Sequence, residues 1–512
     1  MSFWSILFSG EEGGVGRLVG EAPDCFVDLN LDQIVNAITE GKEDYDLKPY
    51  FFTPLQSSDG IAYRHEIFRD FEENGALRSA IDAFAANLRK MRETLKSREK
   101  LNYQQEKESY FLDAILQYCR SLCSLERQLA SATLRSRGLL AFFEYLKTYI
   151  ASPNFTSLFA EASKLESDLG AIRYNVLIKG LSFRVCPYSA EPDYSLDVEK
   201  TFAKFRQGAV KSYLAKMPEY TGMNHIEAKI AEFVARLHPE VFGGLSKFCT
   251  ERSNYLDAVI GRFDREVQFY CAYLDYKSFF HKAGLTLCYP SISDTDKSIY
   301  SDKSFDLALA HKLVQENAQI VCNDFFLQGK ERVFVVTGPN QGGKTTFARV
   351  FGQLHYLASI GCPVAGQRAK LFRCDRVFTH FEREESVVNL RGKLEDDLIR
   401  IHAILEQATS GSIVIMNEIF TSTTLRDAIF LGKRVLERLD RLDVLGVFVT
   451  FIDEFTTLSE KMVSVASTIV PRNPALRTFK IVRKPADGLA YALAIAEKHR
   501  VTYRQLKERL AS

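Results

Sequence analysis

The stretch Gly338-Pro339-Asn340-Gln341-Gly342-Gly343-Lys344-Thr345 constrains this chain more tightly than any other. It fits the phosphate-loop pattern G-x-x-x-x-G-K-[ST]. An apolar, β-branched run, Val333-Phe334-Val335-Val336, stands directly before it, and Thr346-Phe347-Ala348-Arg349-Val350-Phe351 continues from it with helical character. Strand, glycine turn and helix form the context that this pattern needs. Glycines let backbone N–H groups close around phosphate oxygens, and a helix N-terminus adds a favourable dipole. In such a loop Lys344 reaches the β/γ-phosphates and the Thr345 hydroxyl ligates Mg²⁺. The expected nucleotide contacts are therefore Gly338, Pro339, Asn340, Gln341, Gly342, Gly343, Lys344, Thr345 and Thr346, with a nucleoside triphosphate and Mg²⁺ as ligands.

Further motifs follow in a fixed order. Val321-Cys322-Asn323-Asp324 precedes the loop. After it come Asp375-Arg376-Val377-Phe378-Thr379, then Ser412-Ile413-Val414-Ile415-Met416-Asn417-Glu418-Ile419, Val447-Phe448-Val449-Thr450, and Asp487-Gly488-Leu489-Ala490-Tyr491-Ala492-Leu493-Ala494-Ile495-Ala496. Together with the GPN-x-[GA]-GK-[ST]-[ST] form of the loop, this series resembles the ATPase domain of the MutS family of DNA mismatch-repair proteins, over about residues 316–510. The resemblance implies that Ile320, beside Val321–Asp324, joins the nucleotide contacts. It also implies that Glu418 is the glutamate polarising the attacking water, and that Asn417 supports the metal through a bound water.

Within that resemblance three positions depart from the family. Asn417 stands where the family has an aspartate, so the metal site loses a negative charge. Gly392 falls where the family has a signature serine that reaches a dimer partner's γ-phosphate. Phe451 takes the place of a switch histidine and cannot hydrogen-bond phosphate. ATP binding needs only the loop, Lys344 and Thr345, whereas turnover needs the altered positions, so weak hydrolysis is expected. Arg391 and Lys393 flank Gly392; they fit either a partner's γ-phosphate or ordinary solvated loop charges.

The rest of the chain reads by period. With 512 residues, 46% of them hydrophobic, it can form several cores, and no apolar run approaches the roughly 18 residues of a membrane span. The N-terminal Phe3–Phe8 run lacks a basic flank and soon meets Glu11 and Glu12, against a signal peptide. Ten scattered cysteines without C-x-x-C pairs read as reduced thiols of a cytoplasmic protein. Leu31, Ile34, Val35 and Ile38 predict a short helix. From Phe68 to about Leu169 apolar residues recur at helical spacing, as in Leu77, Ile81, Phe84, Leu88 and Met91. Arg173–Cys186 switches to alternation with a break at Lys179-Gly180, which predicts a hairpin, and helical signals resume near Asp197 and run to about Ala283.

The fold class expected is multidomain α and α/β. A short N-terminal segment (1–65) precedes an all-α arm (66–300) with a small β-containing inset near 172–222, and a C-terminal α/β ATPase domain of phosphate-loop, ABC type spans 301–512. The arm resembles the core, lever and clamp regions of MutS proteins in architecture, without motifs.

Net charge is +1, so any DNA contact must come from a local patch. Lys179, Arg184, Lys204 and Arg206 are the candidates for phosphate contacts, with Lys200, Lys211 and Lys216 nearby. Glu191, Asp193, Asp197 and Glu199 are interleaved with them, so a solvated mixed-charge surface is an equal reading. About sixty residues precede the arm, too few for a MutS mismatch-reading domain, and they hold no Phe-x-Glu. Phe142-Phe143-Glu144 and Phe159-Ala160-Glu161 have that spacing but read as helix. Two function classes remain: an ATP-dependent homodimer that clamps branched or damaged DNA without sequence preference, and a nucleotide-gated protein-interaction module with little turnover and no DNA binding. No membrane partner is expected.

Overall fold

The computed structural model describes residues 3–10, 18–180, 182–189, 194–203, 222–382, 392–470, 473–486, 502–503 and 506–507. The chain divides into two compact units. One comprises Met1–Phe3, Asn74–Leu134 and Leu140–Asp264; the other comprises Trp4–Glu73, Arg135–Leu139 and Arg265–Ser512. Among the described residues no helix is long and apolar enough to cross a membrane.

The first unit is helical with one hairpin. Asn74 caps the helix Gly75–Lys100 by accepting from the Leu77 amide at 3.0 Å, satisfying one of the amides that a helix start leaves unpaired. That helix buries the predicted stripe of Leu77, Ile81, Phe84, Leu88 and Met91. It packs beside Gln104–Ser131, and Pro153–Gly170 and Pro239–Glu251 also pack on Gln104–Ser131. The predicted hairpin pairs Tyr174–Lys179 with Ser182–Pro187. Gly180 adopts φ +61° at its turn, a conformation that a residue without Cβ reaches at little cost. Helical structure resumes at Tyr194–Ala203, continues in His225–Leu237, and takes in the helix Ala258–Lys282 as far as Asp264, its remainder belonging to the second unit.

In the second unit, the N-terminal stretch and the C-terminal sheet share one core. Leu31–Thr39 is helical, as its apolar stripe predicts. Ser5 Oγ donates to Glu266 Oε1 at 2.8 Å, and the Ile6 amide donates to the other carboxylate oxygen at 2.9 Å. Arg64 has no solvent exposure; it donates to the carbonyls of Leu7 (3.0 Å) and Ile360 (2.7 Å).

Six strands form the main sheet: β1 (Val333–Thr337), β2 (Val377–Phe381), β3 (Ile413–Asn417), β4 (Leu445–Val449), β5 (Met462–Val470) and β6 (Asn473–Arg483). Their order is β2-β3-β4-β1-β5-β6, parallel throughout except for antiparallel β6. β1, β3 and β4 are buried along their whole length, which is why they read as continuous apolar runs. Phe334 faces Phe347 and Phe351 of helix α1 (Lys344–Ser359). Val333 and Val335 face the opposite way, into a core with Ile401 and Ile404 of α2 (Lys393–Gln407) and Leu436 and Leu439 of α3 (Leu425–Leu442). The alternation along β1 therefore sets helices on both faces. A smaller four-stranded sheet, in the order Ser291–Ser293, Arg368–Phe372, Ile299–Ser304, Asn323–Leu327, completes this unit's larger β structure.

Candidate functional site

Register decides where the site lies. Phe381 pairs with Asn417, Asn417 with Val449, Val449 with Val336, and Thr337 with Ala466. The parallel strands therefore end along one line, and the residues just past them meet at one edge: Gly338, Glu382, Glu418 and the pair Thr450 and Phe451. The carboxyl edge of an open parallel sheet, at the point where strand order reverses, is where such folds bind ligands. Here β1 is that point, with β4 on one side and β5 on the other.

The glycine loop runs from β1 into α1. Gly338 and Gly343 adopt φ +112° and +91°, and Gln341 lies at +58°. A Cβ at Gly338 or Gly342 would collide with Ser467, so the loop's close approach to β5 requires glycine at both positions. Gly343 is the N-cap of α1. Arg477 Nε donates to the Asn340 carbonyl at 3.2 Å and tethers the outer part of the loop.

Lys344 is the centre of the cluster. Its ammonium donates to the carbonyls of Gly338 (3.0 Å) and Pro339 (3.3 Å) and lies 3.7 Å from Glu418 Oε1. The Phe451 ring stands over it, 3.9 Å from nitrogen to centroid, a cation–π contact. The lysine side chain is 3% exposed. Burial lowers its pKa from the ordinary value, and the Glu418 charge opposes that shift. Glu418 takes φ +53°, a left-handed turn rare for a glutamate, held by its amide's bond to the Val449 carbonyl at 3.0 Å. Burial raises its pKa above the usual carboxylate range; Lys344 opposes the shift and Glu382 adds to it.

Thr345 Oγ1 donates to Asn417 Oδ1 at 3.1 Å, and Asn417 is 7% exposed. The hydroxyl and the amide oxygen predicted to serve a metal are thus adjacent. Thr346 is half-buried on α1's first turn, and Ile320 is half-buried ahead of the strand Asn323–Leu327. Asn323 binds that strand to β6: its Nδ2 donates to the Phe479 carbonyl (3.1 Å), and its Oδ1 accepts from the Ile481 amide (2.8 Å). Phe479 lies beside Gly343, half-exposed, at φ +57°.

Gly392 is the N-cap of α2 and offers no side-chain cap. Lys393 is ion-paired with Glu382 of the same chain. Arg391, and residues 389 and 390 of the segment expected to face a partner, lie outside the described residues, as does the closing segment Asp487–Ala496. Lys204, Arg206, Lys211 and Lys216 also lie outside them, as do Glu191 and Asp193. Lys179 and Arg184 are exposed on the hairpin, where Leu177 opposite Arg184 and Ser182 opposite Lys179 put both cations on one face.

Residues 334–504 match the family model described as MutS domain V. That match supports membership of the MutS family. The matched range opens within β1 and takes in the glycine loop, Asn417, Glu418 and Phe451; the helical unit lies outside it. The family motifs quoted from the sequence led to Lys344, Thr345, Asn417 and Glu418, which the structure brings together. Ser467, Arg477, Phe479 and Glu382 were not found that way, because they reach the loop only through strand pairing and ion pairing.

Proposed function

We propose that this MutS-family chain binds ATP with Mg²⁺ at the glycine loop, hydrolyses it slowly, and acts as an ATP-controlled, DNA-binding homodimer in repair or recombination. One observation carries the reading: a buried ammonium on a glycine loop, 3.7 Å from a carboxylate at the carboxyl edge of a parallel sheet. The loop amides and the N-terminus of α1 suit phosphate oxygens. Lys344, on the loop itself, can place a full positive charge on the β/γ-phosphates.

The donor set at Thr345 and Asn417 fits a hydrated Mg²⁺, with the hydroxyl as direct ligand and the amide oxygen accepting from a bound water. Mg²⁺ supplies charge neutralisation on the phosphates when bound. An amide in place of a carboxylate weakens that hold. Glu418 then orients water as a base, and Lys344 beside it favours its ionised form. Phe451, an apolar ring over the lysine, cannot sense a γ-phosphate by hydrogen bonding, which supports slow turnover. Phe479 and Asn323 offer a platform for the base beside Gly343.

For DNA, the supporting observation is the exposed pair Lys179 and Arg184 on one hairpin face. Nothing in such a face reads sequence, so backbone contact and shape would set the preference, with a mismatched duplex bound no better than a matched one. Equilibrium ATP binding tests the core of the reading. The native chain should bind saturably, and Lys344→Ala should lose at least about a hundredfold in affinity, about 2.7 kcal/mol, with its fold intact by circular dichroism. Unchanged affinity in that variant refutes the site. ATP should also convert monomer to dimer in light scattering. A dimer or monomer that ignores branched DNA at low salt leaves the protein-interaction module as the function.

A further inference from the structure

Strands β5 and β6 pair in regular register as far as Ser467 with Ile481, and the next pair is Ile469 with Arg477. Thr468 alone therefore stands opposite Thr478, Phe479 and Lys480, which makes a bulge in β6. Bulges re-aim side chains beside sites and behave as built features of a sheet. This one is pinned from both sides. Thr478 Oγ1 donates to the Thr468 carbonyl at 2.9 Å, and the Lys480 amide donates to Thr478 Oγ1 at 3.2 Å. From the other side Asn323 holds the Phe479 carbonyl and the Ile481 amide. Phe479 sits at φ +57°, a conformation that a bulky residue keeps only where its surroundings impose it.

The bulge sets a cation beside the glycine loop. Arg477 Nε donates to the Asn340 carbonyl at 3.2 Å. The two preceding carbonyls, of Gly338 and Pro339, hold the Lys344 ammonium, so both cations gather at one turn of the loop. Burial is the main reason that the lysine's pKa is lowered, and the Arg477 charge adds to it. In a loop of this kind the amides cradle the α/β-phosphates, and the lysine marks the β/γ end. A guanidinium carries five N–H donors in a planar fork that matches phosphate oxygens, and the bond to Asn340 uses one of them. We infer that Arg477 is a specificity-determining residue that contacts the terminal phosphate, so that the site prefers a nucleoside triphosphate to a diphosphate. This rests on the ATP-binding reading and adds a second cation to it. Phe451 cannot hydrogen-bond a γ-phosphate and Gly392 has no side chain to offer one. Arg477 supplies the contact with the third phosphate that those two positions lack.

Calorimetry on the full chain with Mg²⁺, using ATP and ADP in turn, tests this. Arg477→Gln should lower ATP affinity about tenfold and ADP affinity less than about twofold. Arg477→Lys keeps the charge but loses the Nε bond to Asn340, and should hold ATP within about threefold of the native affinity. A tether that only shapes the loop predicts a different pattern. Both nucleotides then weaken together in Arg477→Gln, and Arg477→Lys is as weak as Arg477→Gln for each. That pattern overturns the inference, as does an unchanged ATP affinity in Arg477→Gln, while saturable ATP binding by the native chain keeps the site reading intact. If the native chain binds neither nucleotide, the site reading fails and the inference falls with it.

Discussion

The cations of the glycine loop and those of the hairpin stand in opposite surroundings. Lys344 is 3% exposed and held by two carbonyls, a carboxylate and an aromatic ring. Lys179 and Arg184 project from a two-stranded ribbon whose tip also exposes Ile178 at 78%. A buried charge has one geometry and few partners, so its surroundings specify a chemistry. An exposed charge is solvated and screened, so it contributes attraction without specifying what is attracted. Large, all-or-none effects are expected at the loop and small, additive, salt-dependent ones at the hairpin.

The largest effect should come from Glu418. Removing its charge while keeping its shape, as Glu418→Gln, should cut ATP turnover about a thousandfold, within the range ascribed to a general base, while ATP still binds. The partner experiment is Asn417→Asp, which returns a negative charge beside Thr345 and should raise turnover about tenfold, some 1.4 kcal/mol of barrier. Native turnover in Glu418→Gln removes it from the chemistry. Slower turnover in Asn417→Asp means that the site is built around the amide.

The same contrast explains what the sequence made legible. The loop, the stripe from Leu77 to Met91 and the Lys179-Gly180 turn are local patterns, set by residues a few positions apart, and all take the predicted form. The strand ends were legible because parallel strands buried on both faces leave unbroken apolar runs. What escaped depends on pairings between distant segments. Ser467 meets Gly338 only through the β1–β5 register, and Asn323 meets Phe479 only through the β6 edge. The fully buried Arg64 joins Leu7 to Ile360, a link that no periodicity encodes. For the same reason the N-terminal stretch could not be read as sharing a core with the sheet.

Acidification should separate the two units. In the sheet-bearing unit, burial lowers the pKa of His355 to about 4 and of His65 to about 3, the latter with Arg69 assisting. A base with a depressed folded pKa stays neutral while its unfolded form takes a proton. No penalty exists above about pH 6.5; it grows as pH falls, to the order of 3 kcal/mol for His355 alone near pH 4. In the helical unit burial raises the pKa of Asp264 against the pull of Arg92, and that sign favours the folded form as pH falls. Hydrogen exchange between pH 6.5 and 4 should show protection lost first around α1. His355→Leu should flatten that dependence. Protection lost uniformly across both units, with no change in His355→Leu, would remove the assignment.

The smallest effect belongs to the hairpin, and its form matters more than its size. If Lys179 and Arg184 contact DNA phosphates, each neutralised phosphate releases counterions, and the logarithm of affinity falls with the logarithm of salt by about 0.9 per contact. Replacing both with Gln should therefore flatten the slope by about 1.8 at most, and weaken binding to branched duplex only severalfold at low salt. The loss should be the same for matched and mismatched duplex, because exposed cations on a ribbon face read backbone and not base edges. A mixed-charge surface with no DNA role predicts a different result: the affinity shifts slightly through net charge while the slope stays as it was. The slope, not the affinity, is thus the quantity that separates a phosphate contact from a solvated charge, and an unchanged slope moves the search for a DNA surface away from this hairpin.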